Sequence, residues 1–79
     1  MEPIAMLEPS ASHLTRGRTF ERAGRYSEAV AAYQEAAQLH PSDVDAQVRL
    51  GLVLRVLGRD EEANEAFRAV LDLRAEEAE

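Results

Sequence analysis

Two histidines, nine arginines and fifteen carboxylates are the groups in this 79-residue chain that could do chemistry. Neither His13 nor His40 has a His, Asp or Glu four residues on, the spacing that sets two metal ligands on one helical face, so the pattern predicts no metal site. His40 precedes Pro41 at the end of a helical stretch, where a partial positive charge meets the negative end of the helix dipole. No serine stands beside a plausible base, and cysteine is missing altogether, which removes the usual nucleophiles together with disulfides and thiolate metal sites. The four glycines are separated by whole helical turns or more and cannot form a phosphate-cradling loop. The expectation is a chain that is not an enzyme, takes no small-molecule substrate and needs no cofactor.

Every basic residue is arginine, but the arginines do not form the basic, aromatic-interleaved stripe that nucleic acid requires. Net charge is −6, and residues 60–79 carry all of it, with eight acids against Arg68 and Arg74. Glu21, Asp45 and an apolar stripe interrupt the remaining arginines, so nucleic acid is not an expected partner. The opening "MEPIAMLEPSAS" has no basic region, and its apolar run is too short for a signal peptide or a membrane span. Residues 1–9 read as a flexible leader, and the default expectation is a cytoplasmic protein without a membrane contact.

What must position these groups is one small all-α domain. The hydrophobic fraction is 46% with only 5% aromatics and few strand formers, and 79 residues leave no room for a second domain. Sliding the sequence by 34 residues superposes Gly17 on Gly51, Gly24 on Gly58, Arg25 on Arg59 and Glu28 on Glu62. Ala29 then meets Ala63, Ala32 meets Ala66, Leu39 meets Leu73, and Tyr33 meets Phe67. Each unit reads as two helices, so about four in all, with repeat one over about residues 10–43 and repeat two over about 44–77. Gly24 and Gly58 are placed to end the first helix of each unit in the left-handed conformation. Ser27 opens the next helix of unit one, which Pro41 ends; Ser42 is the expected N-cap of the following one, with Asp45 approximating a capping box. Gly17 and Gly51 lie inside helices, where glycine costs about 1 kcal/mol against alanine, so a close helix approach is expected there, near the small Ala29 and Ala63. Tyr33 and Phe67 are expected to fill the space between repeats.

The period and these residues resemble the tetratricopeptide repeat family, a 34-residue helix-turn-helix unit with a pattern W-x2-L-G-x2-Y, A-x3-F and a closing P. Gly17, Phe20, Ala29, Tyr33 and Pro41 match in unit one, and Leu50, Gly51, Leu54, Ala63 and Phe67 in unit two. His13 and Gln47 stand at the tryptophan position, Arg16 at the leucine and Ala75 at the proline. The resemblance implies a non-catalytic interaction module, scaffold or adaptor whose first helices line a concave groove for a peptide or helix of another protein. By the same resemblance Ala11, Leu14, Arg18, Glu21 and Arg22 face the groove from unit one. Asp45, Val48, Arg49, Leu52, Arg55 and Val56 face it from unit two. Arg18, Arg22, Arg49 and Arg55 would then pair acidic groups of the partner. The lysine and asparagine set with which co-chaperones of this family hold a terminal carboxylate is not present.

Within "VRLGLVLRVLG", Leu50, Val53, Leu54 and Leu57 form a core face, while Val48, Leu52 and Val56 recur at i, i+4, i+8 as a second apolar stripe. That stripe reads either as groove or as core and self-association surface. Two repeats are fewer than the three or so that usually make a stable solenoid. The last helix, with Phe67, Val70, Leu71 and Leu73, is therefore expected to be covered by a second copy of the chain as a homo-oligomer, or by the next repeat of a longer array. The closing "RAEEAE" sets like charges at the negative end of a helix dipole, so its last turns are expected to fray.

Overall fold

In a computed structural model, which describes residues 9–77, the chain forms four helices: α1 (Pro9–Arg22), α2 (Tyr26–Leu39), α3 (Val44–Val56) and α4 (Asp60–Glu77). The leader expected over residues 1–9 lies outside the described residues up to Glu8, and Pro9 already belongs to α1. Each helix packs on the next, α1 on α2, α2 on α3 and α3 on α4. Among the described residues no helix is long and apolar enough to cross a membrane.

The turns that set this arrangement are the same in both repeats. Gly24 has φ 77° and Gly58 φ 79°, the left-handed conformation that ends each first helix. Arg25 N–H reaches Phe20 C=O at 2.8 Å and Gly24 N–H reaches Glu21 C=O at 3.0 Å, the paired bonds of a Schellman motif. Arg59 to Leu54 and Gly58 to Arg55, each at 2.9 Å, repeat it. The next helix begins one residue before Ser27, with Arg25 rather than a serine at the N-cap position. The Arg25 side chain instead clamps Glu28 through two hydrogen bonds of 2.6 and 3.0 Å, as Arg59 clamps Glu62 at 2.7 and 2.8 Å.

Asp43, not Ser42, caps α3: its Oδ1 accepts from Asp45 N–H at 3.0 Å and Ala46 N–H at 3.4 Å. Ser42 lies in the turn, and the Asp45 carboxylate is engaged elsewhere, so no capping box forms. The last helix continues through the acidic "AEE" to Glu77 instead of stopping short.

The core runs along the inner faces of α2, α3 and α4 through Val30, Tyr33, Leu50, Val53, Leu54 and Ala66. A smaller cluster of Ala36, Ala37 and Ala46 joins α2 to α3. The helix glycines are explained by the large residue rather than by the small ones. A Cβ on Gly17 would lie 2.6 Å from Tyr33 Cδ1, and one on Gly51 would lie 2.6 Å from Phe67 Cε1. Tyr33 and Phe67 therefore press into the first helix of their own repeat, where the missing side chain makes room for the ring.

Candidate functional site

Asp45 organises the junction of α1 and α3. Its Oδ2 accepts from Arg18 Nη2 at 3.0 Å, and Arg49 Nε lies 3.3 Å from its Oδ1, so one carboxylate ties the two helices together. Between them opens a depression of about 410 Å³ lined by Arg18, Glu21, Arg22, Tyr26 and Arg49. Arg18 and Arg22 share a face of α1 at i, i+4, whereas Tyr26 opens α2 beyond the Gly24 turn, so helical spacing gave no signal for it.

The hydrogen-bonding capacity of this depression is one-sided. Glu21 Oε1 accepts from the Tyr33 hydroxyl at 2.7 Å, and Asp45 already receives Arg18. Burial first, then the bond to Glu21 and its negative charge, push the Tyr33 hydroxyl up from its ordinary 10.0 to about 12, so it remains a donor committed to Glu21. Arg22 is exposed and pairs with no acid among the described residues. Both local acids are thus occupied while guanidinium donors remain, and guanidinium can only donate. Its open guanidinium donors have the chemistry to meet a carboxylate or similar acceptor.

From Arg49 the same face of α3 continues to Leu52 and Val56, at i+3 and i+7. Leu52 is 47% and Val56 62% exposed, among the largest open apolar side chains, while Leu50, Val53 and Leu54 turn inward. Val48 begins this stripe half-buried. The polar wall from α1 and the apolar wall from α3 meet at Arg49.

The remaining expected residues are placed differently. Leu14 packs against both core clusters and faces inward, because it shares its helix face with Gly17, which receives the Tyr33 ring. Arg55 lies over the Phe67 ring, 5.8 Å from its centre, and does not line the depression. On α4, Phe67 is half-buried against Gly51 and Val70 is 9% exposed, so intramolecular packing takes both. Leu71, 67% exposed, is the open member of that set, and Leu73 is intermediate. His13 Nδ1 lies 3.1 Å from Glu35 Oε1, a link from α1 to α2 that the sequence pattern did not indicate.

Residues 14–78 match a family model described as tetratricopeptide repeat. A stretch of 47 residues, 60% of the chain, is 45% identical to part of protein O-mannosyl-transferase TMTC1 from Homo sapiens. The chain spans only 5% of that relative's length.

Proposed function

Since the chain belongs to the tetratricopeptide repeat family, we propose that it is a non-catalytic interaction module that takes an acidic, amphipathic segment of another protein between α1 and α3. The observation that carries this reading is the depression in which guanidinium donors stand beside occupied acids, with the exposed Leu52 and Val56 one and two turns along α3 from its Arg49. A partner carboxylate would meet Arg18, Arg22 and Arg49, and an apolar residue a turn away would lie on Leu52 and Val56. The glycosyl-transfer activity named for the human relative is not extended to this chain, because the match covers 5% of that protein. A cytoplasmic setting belongs to the same proposal.

A titration calorimetry series tests it, using a synthetic helical peptide that carries leucines on one face and glutamates on the other. Binding is expected, weaker by at least tenfold with Leu52→Arg and with Arg22→Glu. A moderate loss with added salt is expected, in contrast to the steep dependence of nucleic-acid binding. Equal affinity for a peptide in which glutamine replaces every glutamate would remove the charged half of the reading.

A further inference from the structure

The 34-residue shift that relates the repeats also relates the two ends of the molecule. In repeat one, α3 packs over Val30, Tyr33 and Ala37 of α2, leaving them 3%, 0% and 9% exposed. The same positions in repeat two are Asn64, Phe67 and Leu71. There Asn64 is exposed, Phe67 half-buried against α3 and Leu71 67% exposed, and among the described residues no helix follows α4 to cover them as α3 covers α2.

The opposite end shows the reciprocal gap. In repeat two a groove along Leu54, Glu62, Glu65 and Ala66 is closed on one side by Gln34 of the preceding α2. Its repeat-one equivalent, a groove of about 220 Å³ lined by Phe20, Glu28, Ala31 and Glu35 among others, has no such neighbour among the described residues. One repeat on from Gln34 the sequence has Arg68, exposed on α4 and without an ion pair among the described residues. The acids of that groove already have partners, Glu28 in Arg25 and Glu35 in His13, so Arg68 would add a second cation to a shared carboxylate rather than fill an empty place.

The residues of the contact itself also match. Ala46, wholly buried where α3 meets α2, has Ser12 one repeat earlier, another small residue at the position of close approach. We infer that the open face of repeat two is an interface with a second copy of the chain, stacked head to tail. The α1 helix of one copy docks on α3 and α4 of the next, as α3 docks on α1 and α2 within a chain.

Charge favours this polarity over a symmetric pairing. Residues 60–79 carry the whole net charge of −6, so joining two α4 ends brings like charges together, whereas head-to-tail stacking sets α4 against the nearly neutral first repeat. A contact between two different surfaces adds copies in a row, growing past two until its rotation closes a ring or the chain of copies ends. Asn64 in place of Val30 weakens the junction relative to the internal one, which makes the association reversible and dependent on concentration.

Light scattering behind a sizing column tests this on the 79-residue chain over a wide concentration range. The average mass is expected to climb past two copies as concentration rises. Leu71→Arg and Ser12→Arg block opposite faces at exposed positions outside the α1–α3 groove, and circular dichroism checks that both keep their helices. Each variant alone is expected to be monomeric, and an equimolar mixture to give a one-to-one dimer, because each retains the face the other lacks. A wild-type monomer at every concentration, a closed dimer that grows no further, or a mixture that stays monomeric overturns the inference.

Discussion

The two repeats solve the same packing problem with opposite chemistry. At Gly17 the ring of Tyr33 enters the first helix, is fully buried, and hands its hydroxyl proton to a hydrogen bond with Glu21. At Gly51 the ring of Phe67 does the same, but it is half-exposed, and Arg55, which stands at Glu21's position, lies over its face. Repeat one has α3 beside it and can anchor a polar ring through a buried-edge hydrogen bond. No helix follows repeat two among the described residues, so its ring is shielded by a flexible cation instead. The same contrast runs along the groove, where Arg18 and Arg22 of α1 correspond to Leu52 and Val56 of α3. Divergence between equivalent positions is what gives this short solenoid one donor-rich wall and one apolar wall.

Substitution at the two glycines is the strongest way to break this comparison. Gly17→Ala drives a Cβ into a ring that packing and Glu21 hold in place. The expected net loss is about 2 kcal/mol, overpacking exceeding the helix propensity that alanine restores. Gly51→Ala meets a ring with an open side, and the expected loss is about half as large. Urea unfolding of both variants checks this, and equal losses would show that exposure of Phe67 gives it no freedom to move.

The turns should behave alike where the rings do not. Gly24→Ala and Gly58→Ala each force a side chain into the left-handed region, for an expected loss of about 1–2 kcal/mol at either site. A clear difference between the two in thermal melts would show that the repeated turn geometry hides unequal support.

Tyr33→Phe converts the ring site of repeat one into that of repeat two, with an expected loss of about 1 kcal/mol for the hydrogen bond to Glu21. Its pH dependence sharpens the comparison. Unfolded tyrosine loses its proton near pH 10, whereas folded Tyr33 keeps it to about 12, so the unfolded chain binds fewer protons in that window. Wild-type stability is therefore fully present below pH 10 and falls as pH rises towards 12, and Tyr33→Phe should remove this part of the decline. Denaturant titrations of both proteins at a series of alkaline pH values measure it; parallel curves would contradict the assignment. Smallest of all, Arg55→Ala should cost about 0.5 kcal/mol, the scale of an exposed cation over an aromatic face.

Much of the fold was legible because helical repeats write themselves periodically. The glycine-arginine pairs marked both turns, and the inward row of Leu50, Val53, Leu54 and Leu57 was read from spacing alone. What periodicity does not carry is which neighbour a side chain chooses. Asp43 rather than Ser42 is the cap because α3 starts at Val44, and the Asp45 carboxylate, expected in a capping box, pairs instead with Arg18, a residue 27 positions away in the sequence. Leu14 and Val48 share a repeat position, yet Leu14 packs inward against Ala46 while Val48 has no following helix among the described residues. Of the candidate groove, the charged and apolar rows were visible in the sequence; the engagement of Glu21 by Tyr33, which leaves the depression donor-rich, required the packed structure.

The most direct measurement is an amide-correlation NMR titration of the isotopically labelled chain with the acidic amphipathic peptide, made at a concentration where the chain is monomeric. A module that binds between α1 and α3 shows the largest shift changes at Arg18, Arg22, Arg49, Leu52 and Val56, with the α4 surface around Leu71 unmoved. Changes confined to α4, or none at saturating peptide, would contradict it.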